Sequence, residues 1–318
     1  MIVSVSRRTD IPAFYSEWFF NRLKEGFVYV QNPFNTKQIS KVDLTPKSVD
    51  CFVFWTKNAE PMLSRLDELK EYNYYFQFTI TGYGRDVEKG IADKKRIIES
   101  FKKLSKLIGK ERVVLRYDPI LLSEKYTIER HTILFERLCK QLSGCTEKCV
   151  ISFVDLYKKT ERNTRNLKLK PMTKDDMRTI ANEFSNIGKK YNIKLETCSE
   201  SIDLSEFGIA KGKCIDDELI ERILGCKLKV DKDKTQRDVC GCVASVDIGQ
   251  YNTCRHQCAY CYANFNYKTV ENNIILHDVS SPMLIGVPSN DAKITSRDMK
   301  SVCVKHEMEQ LSLLDDGL

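Results

Sequence analysis

Three cysteines lie in one short string, TCRHQCAYCYAN (253–264), as Cys254, Cys258 and Cys261. A loop with these gaps can present three thiolates to three corners of an iron–sulfur cubane, because thiolates are the soft ligands that such clusters take. Three protein ligands leave one iron open to a small chelating molecule. The spacing therefore predicts a cluster with one accessible iron.

Zinc is the alternative occupant of this loop. A structural zinc site usually takes two closely spaced cysteine pairs, and here the second pair would be the poorly spaced Cys-Gly-Cys at 240–242. Ligand number and spacing favour iron–sulfur over zinc. His256, which lies between two of the loop cysteines, is expected to donate a hydrogen bond or shape the loop rather than bind metal.

Four more cysteines precede the loop: Cys198, Cys214, Cys240 and Cys242. Four is the ligand number of a closed site, which would be a second iron–sulfur cluster or a zinc ion. Alternatively, some of the four are ordinary small buried residues, as cysteine often is. The sequence leaves both the second metal site and its ligands open.

Six short apolar runs alternate with helix-period segments before the loop. Such alternation predicts an α/β fold with a parallel sheet and helices outside it. We expect a TIM-like (βα)6 partial barrel over residues 1–226, with an inserted β-hairpin at 27–44. Residues 227–318 are expected to form a Cys-rich extension that carries the loop, packs on the barrel mouth and wraps the barrel. The six runs are IVSVS (2–6), CFVFW (51–55), YYFQFTI (74–80), VVLRY (113–117), VISFV (150–154) and IKLET (193–197).

Ionisable or hydroxyl-bearing residues follow all six predicted strands. In barrels of this kind the chemistry lies at the carboxyl ends of the strands. Any single polar residue there is explained as well by capping of the next helix, but six polar strand ends in a row favour an active-site mouth. The basic residues are candidates for gripping a carboxylate or phosphate, and the acidic ones for hydrogen bonding or proton transfer. The candidates are Arg7, Asp10, Lys57, Arg116, Asp118, Asp155, Glu196 and Glu200.

Composition narrows the class of protein. The net charge of +7 permits an anionic partner, but a lysine-rich solvated surface explains it better. No apolar run approaches the roughly 18 residues of a membrane span, and the N-terminus MIVSVSRRTD lacks a signal-peptide pattern. We therefore expect a cytoplasmic protein without membrane contact, whose 13 cysteines stay reduced and are grouped for metal. The chain has neither a phosphate-binding glycine loop nor a Gly-x-Ser-x-Gly elbow.

The loop resembles the signature of the radical S-adenosylmethionine superfamily, in which an aromatic residue, here Tyr260, precedes the last cysteine. The string CRHQCAYCYAN is similar to the cluster loop of the spore-photoproduct-lyase-like branch. Nearly the whole chain resembles an uncharacterised group, domain of unknown function family 1848. The strings that carry this resemblance are SVSRRTDIPAFY (4–15), FVFWTKN (52–58), RYDPIL (116–121), CSESIDLSEFGIAKGKCID (198–216), DIGQYNTCRHQCAYCYAN (247–264) and HDVSSPMLIG (277–286).

The resemblance implies an enzyme with a [4Fe–4S] cluster on Cys254, Cys258 and Cys261 and with S-adenosylmethionine on the open iron. Tyr260 would bound the cofactor pocket. An external donor of the flavodoxin or ferredoxin type would supply the electron that releases a 5′-deoxyadenosyl radical, which abstracts hydrogen from a small molecule, a peptide or a nucleic acid. The rival functions are a zinc-stapled barrel that binds nucleic acid or protein, and an iron–sulfur electron carrier or redox sensor.

The chain departs from the superfamily pattern in the position of the loop. Ordinary members carry it after the first strand, where this chain has SRRTDIPAFY, and the usual Gly-Gly-Glu after the second strand is replaced by WTKN (55–58). Two geometries would reconcile this. The segment VASVDIGQ (243–250) inserts beside the first strand, or the C-terminal segment folds over the barrel as a lid. Both require the loop to lie near Arg7, Lys57 and Arg116.

Overall fold

The computed structural model of the chain describes residues 1–155 and 158–304. Strands and helices alternate along most of this length. The strands are β1 (Ile2–Val5), β2 (Phe27–Asn32), β3 (Asn35–Asp43), β4 (Cys51–Thr56), β5 (Tyr74–Thr79), β6 (Val113–Ile120), β7 (Lys148–Phe153), β8 (Lys194–Cys198), β9 (Ala210–Gly212), β10 (Lys227–Leu228), β11 (Val246–Asp247), β12 (Lys293–Ser296) and β13 (Cys303–Val304). The α-helices are α1 (Ile11–Phe14), α2 (Ser16–Glu25), α3 (Lys94–Ile108), α4 (Ile128–Leu142), α5 (Lys158–Thr164), α6 (Lys174–Lys190), α7 (Asp217–Leu224) and α8 (Tyr267–Ile275). Short 3-10 helices cover Glu60–Leu69, Lys110–Arg112, Arg165–Leu167 and Ser205–Phe207.

A parallel sheet of eight strands, flanked by helices, forms the centre of this α/β fold. Its strand order is β11-β1-β4-β5-β6-β7-β8-β9, and every neighbouring pair is parallel. The six predicted strands are confirmed and occupy six adjacent positions. The predicted strand number was too low, because β9 and β11 add one strand at each edge. Both are too short to give a periodic signal in sequence.

β11 returns the chain to the first strand from the far end of the sequence. Val246 pairs with Val3, and Asp247 with Ser4. A Cβ on Gly249 would lie 2.1 Å from Ser6 Oγ, so the backbone here approaches β1 more closely than any other residue would allow. Of the two expected geometries, insertion of 243–250 beside the first strand is therefore the one observed.

The two faces of the sheet are covered differently. Because side chains alternate along a strand, Val3 and Val5 point to one face and Ile2 to the other. Phe101 of α3 belongs to the large apolar core on the first face. On the second face, Ile220 of α7 packs in a smaller core that also holds Cys51, Cys214, Cys240 and Cys242. The predicted C-terminal extension thus begins to cover the sheet before it adds β11.

Several elements differ from their predicted form. The helix expected after β4 is a 3-10 helix, Glu60–Leu69. The sequence EKGIADKKRIIESFKKLSKLIG (88–109) predicts a helix from residue 88, but the helix begins at Lys94. The Asp93 side chain accepts a hydrogen bond from the Lys95 amide there, which leaves 81–93 as a loop. The predicted hairpin at 27–44 is confirmed as β2 and β3, and β12 extends it as a parallel third strand. Residues 305–318 of the expected wrapping segment lie outside the described residues.

Two features bear on the expected environment. Within residues 1–155 and 158–304, no helix is both long and apolar enough to cross a membrane. Cys226 and Cys303, for which the sequence suggested no role, form a disulfide that joins β10 to β13. This corrects the expectation that all thiols are reduced. The remaining eleven cysteines are free thiols.

Candidate functional site

A cavity of about 960 Å³ opens at the carboxyl ends of the parallel strands. Seven cysteines line it, although they come from distant parts of the sequence: Cys198, Cys214, Cys240, Cys242, Cys254, Cys258 and Cys261. Tyr260 lines it too. Six of the eight ionisable residues predicted from the sequence share this wall: Arg7, Asp10, Lys57, Arg116, Asp118 and Asp155. The late loop therefore reaches the mouth that the first strands form.

Backbone hydrogen bonds dock the cysteine loop against the loop that follows β5. The Ala259 amide donates to the Val87 carbonyl at 2.8 Å, and the Gly90 amide donates to the His256 carbonyl at 2.9 Å. A Cβ on Gly90 would lie 2.4 Å from the Arg255 carbonyl oxygen, which explains a glycine at this crossing. The contact is between main chains, so it positions the cysteines whatever the neighbouring side chains are.

Asp10 connects the cysteine loop to two strands. Its Oδ1 accepts hydrogen bonds from the Ala13 amide (2.9 Å) and the Thr56 hydroxyl (2.8 Å). Its Oδ2 accepts from the Lys57 amide and from His256 Nε2, both at 2.7 Å. Both oxygens are thus bonded in a nearly closed site, since Asp10 is only 5 % exposed. This pattern suits a positioning residue better than the proton-transfer role expected from sequence.

Glu88 is a site residue that the sequence did not predict. It is 1 % exposed and forms ion pairs with Lys57 Nζ (2.8 Å) and Lys94 Nζ (2.6 Å). Tyr260 donates its hydroxyl to Glu88 and receives a hydrogen bond from Lys57 at 3.0 Å. Burial alone would raise the pKa of Glu88, but the two lysines hold that pKa well below its ordinary value. Asp93 is the sequence signal that could have identified Glu88. An aspartate at this position can cap a helix that begins at residue 94, which leaves residue 88 in the preceding loop.

The four cysteines that precede the loop meet in one place, and we refer to Cys198, Cys214, Cys240 and Cys242 as the four-thiol group. Cys198 Sγ lies 2.9 Å from Cys214 Sγ. The neighbouring Cys242 thiol, together with burial, raises the pKa of Cys240. A hydrogen bond from Cys214, followed by the charge of Arg116, lowers the pKa of Cys198 to about 6 against the opposing effect of burial. The sequence analysis grouped these four cysteines, and the structure places them together. Metal binding by the group stays a prediction.

The three cations expected to grip an anion each contact a carboxylate. Arg7 Nη2 lies 3.3 Å from Asp233, and Lys57 pairs with Glu88. Arg116 Nη2 lies 2.5 Å from Asp118 Oδ2. Arg116 also donates from Nη1 to Cys214 Sγ at 2.7 Å. An anionic substrate would therefore have to compete with these carboxylates.

Three acidic candidates lie at the edge of the site or away from it. Glu196 does not line the cavity and is held by Lys148 at 3.0 Å. Glu200 lines a smaller cavity of about 280 Å³, where burial raises its pKa to about 7. Asp155 lines the large cavity but is exposed and paired with Arg237 at 2.5 Å. Glu196 and Glu200 therefore do not line the large cavity, although the sequence predicted both at its mouth.

Buried polar atoms without a partner remain in the cavity wall. Within the described part of the chain, Thr9 Oγ1, Trp55 Nε1 and His256 Nδ1 form no hydrogen bond. An unpaired buried polar group is unfavourable, so these atoms suit a wall that a polar ligand completes. Over the same residues, no group of three or more His, Cys, Asp or Glu side chains is arranged as it stands to hold a metal ion.

Comparison with known proteins assigns the family. The model of the family described as "Domain of unknown function (DUF1848)" matches residues 2–263. The chain belongs to this family. The match ends just after the cysteine loop, so the DUF1848 region includes every residue of the cavity wall discussed above. No curated protein and no solved structure is detectably similar to the chain.

Proposed function

We propose that this DUF1848 protein is a radical S-adenosylmethionine enzyme, in which Cys254, Cys258 and Cys261 hold a [4Fe–4S] cluster. One observation carries the proposal: these three thiols line the same cavity as the strand-end residues Arg7 and Lys57. A loop on the opposite edge of the sheet would have removed its main support. When bound, the cluster and S-adenosylmethionine would supply one-electron cleavage of the sulfonium and so initiate hydrogen abstraction from a substrate.

The residues of the wall fit such a group. The thiolates of a four-iron cluster bind different irons and need not meet at one point, so the lack of a converging ligand set for a single ion does not count against them. A volume of about 960 Å³ lies near the upper end of ordinary small-molecule sites, which leaves room for a cofactor and part of a substrate. The unpaired Thr9 hydroxyl and Trp55 indole N–H belong to residues that line this cavity, and they would be available to polar groups of either.

Residues around the cysteine loop hold it in place through hydrogen bonds. Asp10 fixes the loop through His256, and Glu88 fixes Tyr260 beside Cys258. We infer that Tyr260 and Lys57 bound the cofactor pocket, since the Lys57 ammonium lies 5.6 Å from the centre of the Tyr260 ring. Six adjacent parallel strands, β1-β4-β5-β6-β7-β8, are the order that a (βα)6 partial barrel requires, and β11 would bring the loop to its mouth in a permuted arrangement.

Anaerobic reconstitution tests the proposal. The protein is loaded with iron and sulfide, reduced with dithionite and given S-adenosylmethionine, and 5′-deoxyadenosine is measured by chromatography. We expect a brown chromophore and 5′-deoxyadenosine from the unmodified chain and from Cys145→Ala, a partly exposed thiol that does not line the cavity. Cys258→Ala should abolish both.

The outcomes separate the rival functions. Absence of a chromophore would exclude both the enzyme and the iron–sulfur carrier and would leave a zinc-stapled binding protein. A cluster that yields no 5′-deoxyadenosine under reduction would leave only an electron carrier or redox sensor. In this assay, dithionite replaces the external flavodoxin- or ferredoxin-type protein that we propose as the electron donor.

A further inference from the structure

Three separate segments converge on the four-thiol group. Cys198 ends β8, Cys214 follows β9, and Cys240 and Cys242 lie in the segment that leads to β11. We propose that this group binds a single divalent metal ion of the zinc class, coordinated tetrahedrally by four thiolates. The site is distinct from the cysteine loop and does not depend on the radical function proposed above.

The hydrogen bonds to these sulfurs distinguish them from ordinary buried thiols. The amides of Cys214 and Ile215 both donate to Cys242 Sγ, at 3.2 and 3.4 Å. The Arg116 guanidinium, 4 % exposed, donates to Cys214 Sγ at 2.7 Å. The sulfur of a neutral thiol is only a weak acceptor, whereas a thiolate bound to metal is strongly stabilised by such donors.

As thiolates, these buried sulfurs would need a cation in addition to Arg116. Cys214, Cys240 and Cys242 are 2 %, 5 % and 2 % exposed, so their thiolates are not solvated by bulk water. Arg116 is already shared with Asp118, which takes both its Nε and Nη2. A divalent ion among the four sulfurs would supply the missing positive charge.

The short distance between the Cys198 and Cys214 sulfurs points to one ion rather than a four-iron cluster. With Zn–S bonds of about 2.3 Å, neighbouring sulfurs of a tetrahedron lie about 3.8 Å apart. Cys198 and Cys214 have 2.9 Å between their sulfurs, so they need to separate by about 1 Å to become ligands. This close contact accounts for the absence, in the described residues, of a set already arranged for metal. A cubane would require much wider separation, because its ligands bind four different irons.

The ion would have a structural task. β11 pairs with β1 through only two residues, Val246 and Asp247, yet it directs the cysteine loop to the cavity. A metal bound by Cys240 and Cys242 would tie the segment before β11 to β8 and to the turn after β9. The four-thiol group would thus anchor the returning chain on the second face of the sheet.

The test removes the loop thiols first. A variant with Cys254→Ser, Cys258→Ser and Cys261→Ser is prepared with reductant and titrated with Co²⁺. We expect one Co²⁺ per chain, with thiolate-to-cobalt charge-transfer and tetrahedral d–d bands, and displacement by Zn²⁺. Adding Cys198→Ser should weaken binding at least tenfold, in line with the effect of disturbing a metal's surroundings, while adding Cys145→Ser should change nothing.

A second measurement covers variants that fail to fold. In the triple variant, Zn²⁺ should protect the four thiols from alkylation, as counted by mass spectrometry. Unprotected thiols, no stoichiometric Co²⁺, a Cys198–Cys214 disulfide that forms in place of metal binding, or about four irons per chain after reconstitution would each overturn the proposal. Because the loop thiols are absent, none of these outcomes reports on the radical function.

Discussion

His256 Nε2 lies 2.7 Å from Asp10 Oδ2, although 246 residues separate the two in sequence. Both side chains are almost fully buried, at 4 % and 5 % exposure. His256 lies between Cys254 and Cys258, and Asp10 follows the first strand. This hydrogen bond therefore ties the cysteine loop to the segment that follows the first strand.

Replacing His256 should loosen the loop. We expect His256→Ala to lower the free energy of unfolding of the apoprotein by about 2 kcal/mol, since it leaves a buried carboxylate with one donor fewer. His256→Gln keeps an N–H donor on a side chain of similar reach and should recover at least half of the loss. Urea titration followed by fluorescence gives both values. Equal losses in the two variants would show that the hydrogen bond to Asp10 is not what holds the loop.

Glu88 should make stability depend on pH. Its pKa is held below the ordinary value in the folded protein, so its stabilising contribution is full above the unfolded pKa and is lost as the pH falls towards the folded pKa. At pH 7, Glu88→Gln should lower the free energy of unfolding by about 3 kcal/mol, because Lys57 loses its buried partner. As the pH falls below about 4.5, the difference between the two proteins should narrow, since Glu88 then takes up a proton in the unfolded chain while it stays ionised in the folded one.

Glu60→Gln is the matched control for this experiment. Glu60 pairs with Arg96 at 2.9 Å, but both side chains are exposed, at 47 % and 68 %. An exposed pair contributes at most about 1 kcal/mol, so this variant should follow the unmodified protein across the whole pH range. A Glu88→Gln difference that stays constant from pH 7 down to about pH 2, well below the unfolded pKa, would contradict the assigned ion pairs.

Gly90 should not tolerate a side chain, because its backbone contacts the backbone of the cysteine loop. The methyl group of Gly90→Ala would meet the Arg255 carbonyl oxygen at 2.4 Å and the His256 backbone at 3.0 Å. Neither is a flexible side-chain end, so one of the two loops must shift. We expect less iron per chain after reconstitution and a lower free energy of unfolding.

Gly144→Ala separates this effect from simple backbone strain. Gly144 has φ of +78°, but a Cβ there meets nothing within 4 Å. Its substitution should cost about 1 kcal/mol of conformational strain and leave the iron content unchanged. Equal iron contents in the two alanine variants would mean that the contact between the loops does not position the cysteines.

The predictable parts of this molecule are those with a local signal. Continuous apolar runs such as CFVFW predicted the central strands, and thiol spacing predicted the cysteine loop. The pairing of β11 with β1 was only one of two expected arrangements, because two residues carry no periodicity and the pairing spans more than 240 residues. Glu88 was missed for a related reason. Its partner Lys57 belongs to another strand–helix unit, and the sequence predicts a helix from residue 88, whereas the helix begins only after Asp93. Counting potential ligands in the sequence identified the four-thiol group. Only the contacts of its sulfurs favour a single metal ion over an iron–sulfur cluster.

Asp247 should control how firmly β11 stays on the sheet. Its carboxylate accepts hydrogen bonds from the Ser4 and Ser6 hydroxyls, at 3.1 and 2.5 Å, and from the Arg7 amide at 2.8 Å. Asparagine has one acceptor oxygen instead of two and no charge for Arg7. We therefore expect Asp247→Asn to destabilise this edge by about 1–2 kcal/mol, which would open β11 locally before the rest of the sheet unfolds.

Hydrogen exchange measures this local opening. The Ile248 amide donates to the Ser4 carbonyl at 3.1 Å, so its exchange reports on the pairing of the two edge strands. It should speed up about tenfold in Asp247→Asn, while amides of β5 and β6 keep their rates, since 1.4 kcal/mol corresponds to a factor of about ten. Asp203→Asn, at an exposed turn where the carboxylate caps only the Ser205 amide, is the control and should leave Ile248 unchanged. Unaltered exchange at Ile248 in Asp247→Asn would mean that the two backbone pairings suffice to hold β11, and the need for a metal anchor beside it would weaken accordingly.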